Sequence, residues 1–423
     1  MKTHACFEYQ FHQVGQGLFA SGCLYQSTTP QPKFLWVYDC GSATSKTPQF
    51  WAGQAQRLKQ FVHYKPDIDL LTLSHFDDDH ISGVIELLGQ FDVKSLLLPY
   101  VPLWRRLLIG FDNDFHGDTE KMSLYIDPIG YLRNFGNIEQ VVIVPPGNSP
   151  TQPDDIGRPE GLPSEEWKMR VPVIDDKLGA VFSDEFQSIG NAISEVSIYQ
   201  EGQVMTVQGL WEFCPYNSPK YKITPVFAEK VKVLRNALLS DQSQVRKAAL
   251  EKLKNTYDTQ FKRGGKQRNE ISLFLYAGPV YKTWAGAKLG GFGDSMNNYP
   301  GRLPCYFRCS PFAPGLTGKC SILYSGDGYL HSNKTFNDLA LKLGSERMEK
   351  LGVFQVNHHG AKENWKAGLA GRINAKIAVF SSDPKRLRPG HPHPDVWQDY
   401  LNHHPVQVNN KNHPFTAGGW MAL

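Results

Sequence analysis

The stretch LTLSHFDDDHISG, residues 71 to 83, runs from an apolar segment straight into two histidines and three aspartates packed within six positions. Neighbouring carboxylates repel one another, and holding them at the end of a buried strand costs free energy unless another charge offsets them. Either the segment is a solvated acidic turn, or a cation completes it. The flanks narrow the choice. DIDLLTLS is apolar enough for a buried strand, HISGVIELLGQF has helical periodicity, and KSLLLPY returns to a strand. Strand, loop, helix, strand is an α/β pattern, and the acidic cluster falls at the C-terminal end of a strand, where open sheets place their sites.

The same texture recurs at both ends of the chain. CFEYQFHQV and KFLWVYDCG predict two N-terminal strands, and residues 49 to 64 predict a helix. ISLFLYAG, SILYSGDG, GVFQVNHHG and AKIAVFSS predict further α/β strands. From about 101 to 190 the chain is polar and rich in Pro and Gly, and residues 226 to 262 predict two helices broken near Ser240. The expected organisation is a core built from 1–100 and 269–423, with 101–268 an insertion of polar loops and basic helices.

Composition sets bounds. The chain has 423 residues, 41% hydrophobic and 12% aromatic, so a sizeable core is expected and a disordered chain is excluded. Net charge is only +4, so a polyanionic partner would have to meet a local patch. The N-terminal residues lack the apolar core of a signal peptide, and no apolar run approaches membrane-spanning length. Seven scattered cysteines do not form a disulfide framework; Cys305 and Cys309 could pair or bind metal, but no second cysteine pair follows at zinc-site spacing. Reduced, buried thiols and a cytoplasmic protein are therefore expected.

The fourteen histidines are unevenly spread. Only His116 lies between His80 and His331, whereas His358 and His359 adjoin, and His391 and His393 share RPGHPHPDVW. Asp327, in SILYSGDG, also follows an apolar run. One such turn is ordinarily solvated. Four strand ends offering imidazole or carboxylate are what a two-metal hydrolytic site requires, with cations about 3.5–4 Å apart.

SHFDDDHISG resembles the His-x-Asp-x-Asp-His variant of the metallo-β-lactamase-fold signature, as found in the hydrolase domain of ComEC-type DNA-uptake proteins. FHQVGQG resembles that domain's opening strand and glycine turn, VYDCGS its strand ending in Asp-x-Gly and RNEISLFLYAG its next core strand. YSGDG, VNHHGAK and GHPHPDVW follow in order, so that the resemblance covers roughly residues 7 to 100 and 269 to 400. The resemblance implies an αββα sandwich and two divalent cations, Zn or Mn. His75 and Asp77 would bind the first and Asp79 and His80 the second. Asp327 would bridge them, and His358 or His359 would complete the second site, His359 being favoured because it precedes Gly360. Asp39 would orient a ligand, and His391 and His393 would contact the scissile group or its leaving oxygen. The fold usually supplies one more histidine to the first site, and here only His116 is available; a carboxylate or water is the alternative. Asp78 is expected to point away into solvent, and the "GHPHP" turn has the alternative of being a rigid loop without chemistry.

The fold hosts several chemistries, so the substrate needs its own argument. The aspartate-rich motif and the resemblance point to phosphodiesters. Between 226 and 268 eleven basic residues face four acidic ones, a net +7, ending in Lys262, Arg263, Lys266 and Arg268 just before ISLFLYAG. A phosphodiesterase or nuclease acting on DNA or RNA through a metal-activated water is the expectation. A hydrolase of a small phosphodiester or ester, and a non-catalytic binding module, are the rivals.

Overall fold

In strands, successive side chains point to opposite faces, so a run that is apolar at every position must be buried on both. Residues 34–38, within the strand Phe34–Cys40, are such a run: Phe34, Trp36 and Tyr38 enter one buried cluster, and Leu35 and Val37 enter another. Ala5–Phe11 alternates, with Phe7, Tyr9 and Phe11 on the first side and Cys6, Glu8 and Gln10 on the second. These alternations build a layered α/β molecule with two mixed sheets.

The computed structural model describes residues 5–26, 28–29, 31–112, 119–147, 149–151, 167–174, 196–218, 225–238, 240, 242–261, 272–280, 287–288, 318–383, 385, 390–411 and 414–421. Among them the first sheet runs Ala287–Lys288, Phe415–Met421, Ala5–Phe11, Phe19–Gln26, Phe34–Cys40, Leu70–Thr72, Asp92–Pro99, Ile138–Val144 and Val196–Ile198, with Asp67–Ile68 also paired to Asp92–Pro99. The second runs Pro405–Val408, Ile377–Ser381, Leu351–Gln355, Ser321–Tyr324, Leu273–Pro279, Trp211–Asn217, Met205–Val207 and Met169–Arg170.

One aromatic-rich cluster joins the sheets, with Phe7, Tyr9, Trp36 and Tyr38 from the first and Trp211, Phe213 and Tyr324 from the second. Two of the tyrosines bond across the gap: the Tyr9 hydroxyl donates to the Cys320 carbonyl at 2.6 Å and the Tyr38 hydroxyl to the Leu273 carbonyl at 2.5 Å. Helices cover the outer faces. Trp51, Ala55 and Leu58 of Pro48–Phe61 pack on the first sheet, in a buried cluster that also takes in Val231 of Pro225–Leu238 and Leu253 of Ser243–Phe261. Phe336 and Leu339 of Asn333–Leu343 pack on the second.

Residues 101–268, set apart in the sequence as an insertion, supply strands to both sheets. Ile138–Val144 runs parallel to Asp92–Pro99, and Trp211–Asn217 pairs antiparallel with Leu273–Pro279. The two basic helices break where the sequence places the break, beside Ser240. Cys6 is disulfide-bonded, while Cys23, Cys40, Cys214 and Cys320 form no disulfide. This corrects the expectation of reduced thiols throughout, because sequence spacing does not report which thiols meet in space, and the compartment inferred from them loses its support. No helix among the described residues is long and apolar enough to cross a membrane.

Candidate metal centre

Parallel pairing aligns strand ends. Phe34–Cys40 runs parallel to Leu70–Thr72, and Ser321–Tyr324, Leu351–Gln355 and Ile377–Ser381 run parallel in the other sheet. Asp39, His75, Asp327 and the His358-His359 pair therefore emerge together at one edge. The two sheets are stitched there: Ser381 Oγ donates to the Gly17 carbonyl at 2.6 Å, and the Leu273 amide donates to the Ser74 carbonyl at 2.8 Å. Gly41 allows a close approach, since a Cβ on it would lie 2.3 Å from the His80 amide nitrogen.

Two adjoining groups of ligand atoms result, Asp79, His80, Asp327 and His359 in one and His75, Asp77 and Asp327 in the other. Asp327 belongs to both. His80 Nε2 lies 3.0 Å from Asp327 Oδ1, and His359 Nε2 lies 3.1 Å from Asp79 Oδ2. His75 Nε2 lies 3.4 Å from Asp77 Oδ2 and 3.7 Å from Asp327 Oδ2. His75, His80, Asp327 and His359 are all buried.

The other ring nitrogens decide what these Nε2 atoms can offer. His80 Nδ1 lies 2.8 Å from Asp39 Oδ2 and His359 Nδ1 lies 2.6 Å from the Ser381 carbonyl, both acceptors, so each Nδ1 carries the proton. Ser74 Oγ donates to Asp39 Oδ2 at 2.6 Å and is left to accept from His75 Nδ1 at 2.8 Å. In the neutral rings all three Nε2 lone pairs then face carboxylate oxygens, an arrangement that calls for a positive charge between them. His75 Nε2, His80 Nε2 and Asp327 Oδ1 are buried without a hydrogen bond. Together with the mixed imidazole and carboxylate donors, this fits divalent cations.

The electrostatics express the same demand. Burial would raise the Asp79 carboxyl, but the His359 hydrogen bond and the His80 charge outweigh it and hold it below the usual carboxylate range. Burial likewise works against ionised Asp327, and the charges of His358, His80 and His75 overcome it. Burial pulls the His80 imidazole down, whereas Asp327 and Asp39 carry it well above its ordinary value. Without a metal, the carboxylates favour the charged forms of the His75 and His80 rings.

The remaining residues separate. His358 Nε2 lies 3.4 Å from Asp327 Oδ2, at the margin of the His75, Asp77 and Asp327 group. The His391 ring stands beside both histidines of the pair, 5.7 Å from His358 and 6.4 Å from His359. His393 caps the helix Pro394–Asp399, its Nδ1 accepting from the Asp395 amide at 3.2 Å. Asp78 faces away, as expected, and pairs with Lys46 at 2.6 Å. His116, Lys262, Arg263, Lys266 and Arg268 lie outside the described residues. Ser74 is not singled out by the sequence, although its place directly before His75 is a usable signal. Ser381, which acts through its backbone carbonyl, leaves none. No protein-family model matches this chain, and neither does any curated protein.

Proposed function

We propose that this chain is a metal-dependent phosphodiesterase with DNA or RNA as substrate, built on a metallo-β-lactamase-type αββα sandwich. One observation carries the proposal: three buried imidazoles held in one tautomer, aiming Nε2 lone pairs at the carboxylates of two groups that share Asp327. The residues present would hold two cations, Zn or Mn. Asp77 and Asp327 make the His75 group oxygen-rich, which keeps Mn in competition with Zn. When bound, such cations supply Lewis acidity toward a phosphoryl group and acidify water near neutral pH.

The side chains divide the remaining work. Asp327 serves both groups through its two oxygens and so fixes their separation. Asp39 accepts from Ser74 and His80 and holds the rings of His75 and His80 in one orientation. His391, beside His358 and His359, is placed to steady or protonate a leaving oxygen. No covalent enzyme intermediate is required. A nucleic-acid substrate is supported by the +7 excess between 226 and 268 and by the motif's resemblance.

The test is digestion of labelled DNA and RNA by purified protein with Mn or Zn, alongside a small chromogenic phosphodiester. The proposal expects polynucleotide cleavage that chelation abolishes and excess unrelated DNA inhibits. Turnover of the small diester alone, unaffected by DNA, would replace it with the small-substrate hydrolase.

A further inference from the structure

Asn364, in the short 3-10 turn Lys362–Asn364, has no exposed surface and touches two different parts of the centre. Its Nδ2 donates to the Asp327 backbone carbonyl at 2.7 Å, and its Oδ1 lies 2.7 Å from His358 Nδ1. Its own carbonyl accepts from the Leu330 amide at 2.9 Å and from Asn357 Nδ2 at 2.6 Å, which clamps it between the loop after Asp327 and the His358 turn.

The chemistry of the partners fixes which way the amide points. A backbone carbonyl only accepts, so Nδ2 must face Asp327; the flipped amide would set two oxygens against each other and lose that bond. Oδ1 therefore faces His358, and His358 Nδ1 must carry the proton. The lone pair is left on Nε2, the atom 3.4 Å from Asp327 Oδ2.

We infer that Asn364 is a positioning residue of the metal centre: it selects the Nδ1–H tautomer of His358 and presents the Nε2 lone pair to the open side of the His75, Asp77 and Asp327 group, while tying the bridging Asp327 to the same turn. The inference rests on the proposal that this cluster holds metal. It gives the first group a further imidazole donor from within the described residues, at the position where the sequence offered only His116. Asp39, Ser74 and the Ser381 carbonyl do the same for His80, His75 and His359, so each imidazole of the cluster has its own acceptor.

The experiment reads the tautomer directly. Metal-free protein labelled with 15N-histidine is studied by long-range 1H–15N NMR, with the His358 signal assigned by its loss in His358→Gln. Wild type should show His358 as Nδ1–H, as should Asn364→Asp, whose carboxylate still accepts from the ring. Asn364→Leu should release the ring toward Nε2–H. Titration with Mn or Zn should show first-site affinity about 10–100-fold weaker in Asn364→Leu, the usual consequence of losing such a support. The Asp variant should stay closer to wild type. An Nε2–H ring in wild type overturns the inference without needing any variant to fold. Tight cation binding by wild type that is unchanged in Asn364→Leu overturns it too and leaves the metal centre standing. No cation binding by wild type removes the metal centre and the inference together.

Discussion

Replacing Asp39 by Asn should weaken cation binding at the His80 group by about 10–100-fold, or about 1.4–2.7 kcal/mol. Asp39 is fully buried and accepts three hydrogen bonds: 2.6 Å from the Ser74 amide, 2.6 Å from Ser74 Oγ and 2.8 Å from His80 Nδ1. Asn matches its shape, so packing is preserved, but its amide presents a donor where a second acceptor stood. With Oδ1 kept on the Ser74 amide, the new NH2 faces Ser74 Oγ and His80 Nδ1. The Ser74 hydroxyl can rotate and accept. His80 can accept at Nδ1 only by moving its proton to Nε2, where it would bond Asp327 Oδ1, 3.0 Å away, instead of a cation. The loss should therefore fall toward the upper end of the range. The assay is competition against a chromogenic chelator, with Asp78→Asn as the control, because Asp78 faces Lys46 at the surface. An Asp39→Asn protein with wild-type affinity, or an Asp78→Asn protein with the same loss, would refute the tautomer argument.

Other consequences follow from charges buried away from the centre. Arg347 makes a two-pronged contact with Glu212, at 2.9 and 2.8 Å, and both side chains are buried. Arg347→Met should lower unfolding stability in urea by about 3–5 kcal/mol, and adding Glu212→Leu should recover much of that by removing the stranded charge. His12 is buried, stacked on Phe19, and its pKa is lowered to about 3 by burial and then by Arg57. Its folded pKa lies below its unfolded one near 6.5, so its contribution is fully present above about pH 6.5. That contribution is lost as pH falls toward 3, at no more than about 1.4 kcal/mol per pH unit. Denaturation midpoints from pH 7 to 5 should fall less steeply for His12→Gln; parallel profiles would show that His12 does not titrate this way. Changing Lys262, Arg263, Lys266 and Arg268 together to Ser should weaken polynucleotide binding and flatten its salt dependence, by about 0.7–0.9 in log–log slope for each phosphate left without its cationic side chain. Identical slopes would disconnect the basic segment from nucleic acid.

The candidate metal-ligand cluster was legible because most of its residues adjoin in sequence or directly follow apolar runs. His75, Asp77, Asp79 and His80 span six positions, and Asp327 and His359 follow strands whose composition is unmistakable. Strands that depart from β-rich composition were not legible. Phe19–Gln26 contains Gly22, whose missing side chain makes room for the Trp36 ring; a Cβ there would lie 2.1 Å from it. Trp211–Asn217 carries Pro215, which counts against a strand when neighbours are unknown. Phe415–Met421, with paired glycines, lies far in sequence from Ala5–Phe11, which it pairs along its whole length. Asn364 was invisible for another reason, since its partners are a backbone carbonyl and one ring nitrogen. Such contacts depend on how two loops meet and leave no pattern in either.

Elemental analysis of the metal content of purified protein after exchange with Mn or Zn, comparing wild type with Asp327→Ala, tests the central claim most directly. Asp327 is the one residue common to both ligand groups. Close to two divalent cations per wild-type chain, and a loss extending to both sites in Asp327→Ala, is the predicted result. A wild-type chain that retains no cation, or an Asp327→Ala chain that retains two, would contradict it.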